Sequence, residues 1–187
     1  MRLAILASLL TIALTACGGD GDPVPNPTFA ELRVEYDALE ERIFPGNRTD
    51  PQNLPPIGGV YDGNAVLAYY RDGNDFTETG AAQIKLFVDF IEDDIAGEVT
   101  VFRLESASPV TGQLNVVISP IVGHDFEADL SGDLVIGGEA VTVEGGIDGS
   151  FYTQRGASEQ GGFAYGNISF TAGPGSHSFG GTFAAER

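Results

Sequence analysis

Apolar and polar positions alternate one for one through much of this chain. In Ala82–Phe90 (AQIKLFVDF), Ile84, Leu86, Val88 and Phe90 interleave with Gln83, Lys85, Phe87 and Asp89. In His124–Ser131 (HDFEADLS), Phe126, Ala128 and Leu130 face one way and Asp125, Glu127 and Asp129 the other. Leu114, Val116 and Ile118 repeat the rule, and in the last run Phe179 and Phe183 lie two steps either side of Gly181 on one face. A period of two with one acidic side predicts strands buried on one face and wet on the other. About eight runs of this kind follow Val60, divided by Gly, Asp and Asn turns. Connections such as Asp72-Gly73-Asn74-Asp75 and Glu92-Asp93-Asp94 are short enough for hairpins. After Val60 there is no helical run long enough for a parallel crossover, so successive strands are expected to be antiparallel neighbours.

One earlier stretch has a different period. In Thr28–Ile43 (TFAELRVEYDALEERI), Phe29, Leu32, Tyr36, Leu39 and Ile43 recur at three- and four-residue spacing, and Thr28 with Glu31 forms a capping-box pattern. The opposite face carries Glu31, Arg33, Asp37, Glu40 and Glu41, and Pro45-Gly46 stops the helix. A single amphipathic helix of about four turns cannot bury its stripe alone, so it must dock on the domain or on a partner.

Eight antiparallel strands in sequence order can form a sandwich or a closed barrel. Glycines within or beside the strands, among them Gly97, Gly145, Gly146, Gly149, Gly180 and Gly181, favour strong coiling and closure. The predicted fold class is therefore all-β: an eight-stranded antiparallel up-and-down β-barrel preceded by one short amphipathic helix. A barrel of this size holds its own side chains or one small ligand. With twelve Phe and no Trp in the chain, and Phe126, Phe163, Phe179 and Phe183 expected to point inward, filling by side chains is the expectation. The polar outward face does not suit a membrane-spanning barrel, which needs an apolar outer band.

The N-terminus changes the setting. Arg2 precedes an apolar run, Leu3–Leu14, that is too short to span a bilayer. It ends in Leu14-Thr15-Ala16-Cys17, and Cys17 is the only cysteine. This resembles the lipobox of bacterial lipoproteins, which implies cleavage before Cys17, acylation of that residue and membrane attachment through lipid. With Gly18 rather than Asp next in line, the resemblance implies sorting to the outer membrane. No thiol then remains for a disulfide partner or a thiolate metal site. The chain divides into a signal peptide (1–16), a lipidated Gly/Pro/Asp tether (17–27), the helix (28–45), a Pro- and Gly-rich linker (46–58) and the barrel (59–187). All 27 acidic residues and eight of the nine basic ones follow Cys17, giving a mature net charge of −19. Such a chain repels phosphate backbones, which excludes nucleic-acid binding. The charge serves solubility, or it supplies an acidic face for a basic partner.

Three linked stretches resemble one family. Gly146-Ile147-Asp148-Gly149-Ser150-Phe151-Tyr152, followed by Gly156-Ala157-Ser158-Glu159-Gln160-Gly161-Gly162-Phe163, is similar to the penultimate hairpin of transferrin-binding-protein-B-like β-barrels. The ending Phe179–Arg187 (FGGTFAAER) resembles that family's terminal strand. Leu86–Phe90 followed by Ile95–Val99 resembles its VDF hairpin, with Ala65–Tyr70 as the first strand. The pattern departs at Thr153-Gln154-Arg155, where the family has Gly-Pro. One barrel and one helix also stand here in place of two lobes. The resemblance implies a surface lipoprotein whose barrel binds an extracellular protein or small ligand, with the ligand unspecified.

The residues give little support to catalysis. His124 and His177 both sit on strand patterns near turns, and would serve as metal or haem ligands only if they converge in space. No G-x-S-x-G elbow occurs, and the carboxylates follow the solvent-facing period without an evident acid/base couple. Asp72–Asp75 opens like a calcium loop but lacks the later ligands and reads as a turn. The expected function is thus a non-enzymatic binding module without a cofactor. The alternatives are an envelope structural lipoprotein whose helix engages a partner, and a small-ligand carrier with a cavity inside the barrel.

Overall fold

The alternating segments form nine strands in a computed structural model that describes residues 26–44, 46–72, 75–154, 161–173 and 176–187. The signal peptide, Cys17 and nearly all of the tether lie outside the described residues, as do Pro45, Gly73, Asn74 and Glu159. The order is α1 (Phe29–Ile43), a two-residue β1 (Asn47–Arg48), a 3-10 turn (Pro51–Asn53), β2 (Gly59–Arg71), β3 (Asp75–Asp89), β4 (Asp94–Leu104), β5 (Val110–Val122), β6 (Asp125–Ile136), β7 (Glu139–Thr153), β8 (Phe163–Ala172) and β9 (His177–Glu186). From β2 to β9 every strand pairs antiparallel with its sequence neighbour, and β9 also pairs with β2. The eight strands thus close an up-and-down barrel. The closing register sets Ala65 opposite Phe183 and Tyr69 opposite Phe179, and removes both sheet edges.

Inward positions form one continuous core. Phe151 joins Tyr61, Phe90 and Phe126 at ring separations of 5.5, 5.0 and 5.3 Å, and Phe126 reaches Phe183 at 6.1 Å. Toward the other end Phe179 stacks between Tyr69 and Phe170 at 4.8 and 4.7 Å. Each such ring contributes ~1.5–3 kcal/mol through burial, and together they occupy the interior. Space is tight enough that some inward positions admit no side chain. A Cβ on Gly181 would fall on the Val66 carbonyl oxygen across the closing seam, and one on Gly166 on that of Asp148.

Two expected inward residues lie outside. Ile118 is exposed, because β5 carries an extra residue between Val116 and Ile121 relative to both neighbours. One inserted residue flips the parity, so Val116 and Ile121 point in and Ile118 points out. Phe163 is buried, but on the outer wall with Ala184, beneath Tyr36, Leu39 and Ile43 of α1.

That contact shows where the helix stripe goes. Leu32, Tyr36, Leu39 and Ile43 are buried against the barrel, and α1 lies over β2, β3 and β9. The capping box forms as the sequence predicts: the Thr28 N–H donates to Glu31 at 2.7 Å and the Glu31 N–H to the Thr28 hydroxyl at 3.3 Å. Tyr36 and Thr182 share a hydroxyl hydrogen bond of 2.6 Å, Arg42 pairs with Glu186, and Arg103 donates to the Pro27 carbonyl just before the helix. The helix therefore straps the seam between the first and last barrel strands. The segment read as a linker is structured too. β1 extends the β7 ladder past the end of β6, Thr49 is buried, and Leu54 packs against the core at that end of the barrel.

Candidate functional site: an acidic groove on the outer wall

Since the interior is filled, a ligand has to be met on the outside. The outer wall of β6–β8 and the end of β5 bounds an open groove of about 730 Å³. Alternation along β6 points Asp125, Glu127 and Asp129 outward in a row. The register then brings Asp148 of β7 directly opposite Glu127, and Asn167 of β8 opposite Asp148. The Asn167 amide donates to Asp148 at 2.9 Å, and the Ser150 hydroxyl donates to Asp125. Like charges directly opposite one another destabilise a sheet. The Glu127/Asp148 pair is such a conflict, and conflicts of this kind concentrate at functional sites.

Tyr152 and Tyr165 form an aromatic wall, edge to face at 6.2 Å, with Phe44 against both. Arg48 is the cation in the groove lining and lies 3.8 Å from Asp125. Its guanidinium is held above its usual pKa, first by a hydrogen bond to Tyr152 and then by charge attraction that includes Asp125. The site thus offers a row of carboxylates and rings for stacking or cation–π contact, over a floor of strand backbone at the inward-facing positions Ala128, Gly149 and Gly166.

The two histidines do not converge. His177 is buried in the barrel at the β8–β9 end, with Nδ1 2.7 Å from the Tyr69 hydroxyl. His124 sits at the β5–β6 turn, at the opposite end of the up-and-down topology, with Nε2 3.5 Å from Asp125. The outward row on β6 was readable from alternation. Asp148, Tyr152, Tyr165 and Arg48 were not, because strand register and the placement of β1 bring them in, and neither leaves a local signal.

Fold and site together define an eight-stranded barrel with a filled interior and a charged groove on its outer wall. Among solved structures, the chain is similar to a mutant of the vaccine antigen transferrin binding protein B from Haemophilus parasuis Hp5, at 18% identity and a TM-score of 0.49. The likeness covers 75% of this chain and 28% of that one, so the chain spans under a third of that protein's length. No protein-family description and no curated protein matches the chain.

Proposed function

We propose that this chain is a lipid-anchored outer-membrane protein displayed at the cell surface, and that its barrel is a binding module for an extracellular protein. The groove of β6–β8 receives a Lys- and Arg-rich segment of that partner. The carrying observation is the Glu127/Asp148 pair facing itself across the ladder, flanked by Asp125 and Asp129. Such an arrangement weakens the free protein and is relieved by a bound cation. The layout suits display. Pro27, where the tether joins, is held at Arg103 near the β4–β5 end, whereas Asp125 opens at the opposite end of the barrel. The stripe of α1 is occupied by the barrel itself, which removes the surface an envelope-scaffold role would use. The packed interior likewise leaves a lipocalin-like carrier without its chamber.

The test is calorimetric titration of a Lys/Arg-rich peptide into the full chain and into Glu127→Gln/Asp148→Asn. Loss of two exposed charge contacts of ~0.7 kcal/mol each weakens binding about tenfold, and raised salt weakens the wild type further. Equal affinity for both proteins would sink the groove assignment. The anchor is tested separately: Cys17→Ser should release the protein from the membrane fraction, and retention there would count against lipidation.

A further inference from the structure

A second groove, sharing no lining residue with the first, lies between α1 and the outer face of β2–β4 and encloses about 400 Å³. Asn64 of β2 stands in its lining and is only 4% exposed. The Asn64 Nδ2 donates to Glu35 of α1 at 3.1 Å, and this fixes the amide, because the flipped form would set its carbonyl against a carboxylate. The Asn64 Oδ1 is left buried with no hydrogen-bond partner among the described residues. A buried amide oxygen without a donor is rare in a folded protein, and here its residue lines a groove.

The surrounding charges indicate which donor fits. Arg42 is taken by Glu186 at 2.6 Å, and Lys85 by Asp62 at 3.3 Å. Glu35 and Glu98 receive their hydrogen bonds from neutral amides, those of Asn64 and Gln113. Among the described residues neither Glu35 nor Glu98 has a cation within ion-pair distance, with Lys85, opposite Glu98 across the β3–β4 ladder, turned to Asp62 on its other side. The two carboxylates flank an acceptor that lacks its donor, and Ala38 and Leu39 supply an apolar flank. We infer that this groove binds a primary alkylammonium. One N–H meets Asn64 Oδ1, Glu35 and Glu98 balance the charge, and the methylene stem runs along Ala38 and Leu39. The same chemistry is carried by a free polyamine and by a lysine side chain.

The experiment titrates the full chain with butane-1,4-diamine, Nα-acetyl-lysine methylamide and tetramethylammonium, followed by calorimetry and by the NMR signals of the Asn64 side-chain amide. The first two probes should move those signals saturably. Tetramethylammonium carries charge but no N–H and should not. A tighter fit for the diamine identifies a free amine, and a tighter fit for the lysine analogue identifies a side chain; either supports the site. Asn64→Leu removes the acceptor and should weaken binding about tenfold or more. Glu98→Gln, at a half-buried position of the groove, should weaken it about threefold and serves if the buried variant does not fold. Equal binding of tetramethylammonium, unchanged affinity in both variants, or a still Asn64 amide would overturn the assignment. Calorimetry also registers amine binding at the β6–β8 groove, so the Asn64 amide signals and the Asn64 and Glu98 variants, neither residue lining that groove, are the readouts that keep the two sites distinguishable.

Discussion

Two adjacent glycines in the closing strand should respond to the same substitution in opposite ways. At Gly181 an added methyl would land on the Val66 carbonyl oxygen, with the Val66 carbonyl carbon and Leu67 Cα at 2.9 and 3.0 Å. These are backbone atoms of the partner strand, in register at the seam, and cannot swing aside. At Gly180, one step on and facing outward, nothing lies within 4 Å of the added atom. Neither residue adopts a left-handed conformation, so the comparison isolates space from backbone strain. Forcing a methyl into a filled site costs ~1–3 kcal/mol. Removing a glycine's excess unfolded-state entropy from a strand gains ~0.5–1 kcal/mol. Both substitutions share that gain, so it cancels in the comparison, and Gly181→Ala and Gly180→Ala should differ by about 1–3 kcal/mol. With a urea m-value of about 2 kcal/mol/M, their midpoints separate by roughly 0.5–1.5 M. Far-UV circular dichroism reads the transition, since the chain has no Trp. Coincident midpoints would mean that β2 and β9 are not so closely apposed, and would undo the description of the seam.

Other expectations concern the strap, the cap and the acidic groove. Tyr36→Phe loses the hydrogen bond to Thr182 and should cost ~1 kcal/mol at neutral pH. Burial also lifts the Tyr36 phenol above its ordinary value of 10.0, and that of Tyr69 in the same direction. The folded state then keeps protons that the unfolded chain releases. This contribution is complete below the ordinary phenol value and is lost as pH rises beyond it. Urea midpoints should stay level up to about pH 9 and fall above it, less steeply in Tyr36→Phe; parallel curves for the two proteins would contradict this. Thr28→Ala removes the helix cap at ~1 kcal/mol. It should also move Glu31, held below its ordinary value of 4.5 chiefly by the Thr28 N–H and then by its hydroxyl, partway back in an NMR titration. Glu127→Gln alone should stabilise the free barrel by ~0.2–1 kcal/mol while weakening peptide binding, a split that a purely structural residue would not produce.

Strand identity was legible because parity is local: Phe126, Ala128 and Leu130 declare their side without reference to any other strand. Two failures mark the edge of that information. Ile118 obeys the alternation in sequence, yet one extra residue in β5 turns it out, and a bulge is visible only against its neighbours. Phe163 looks like a core residue of β8, and it is one, but of the interface with a helix more than a hundred positions earlier. The acidic groove was half legible for the same reason. The β6 row could be read directly, while its confrontation with Asp148 depends on the register between β6 and β7. The helix cap, built from residues three apart, was legible in full.

The strap across the seam also sets an order in time. Tyr36 is among the first residues of the folded part to be made, and its hydroxyl partner Thr182 stands 146 positions later. Until β9 has arrived, β2 has one free edge and α1 has only part of its bed. The helix cannot lock early, and closure waits on the most distant contacts in the chain, which makes it the slow step. A chain interrupted before His177 would remain an open, threadable ribbon. β9 thus acts as a latch: the barrel closes, and α1 gains its full bed, only once that strand has arrived.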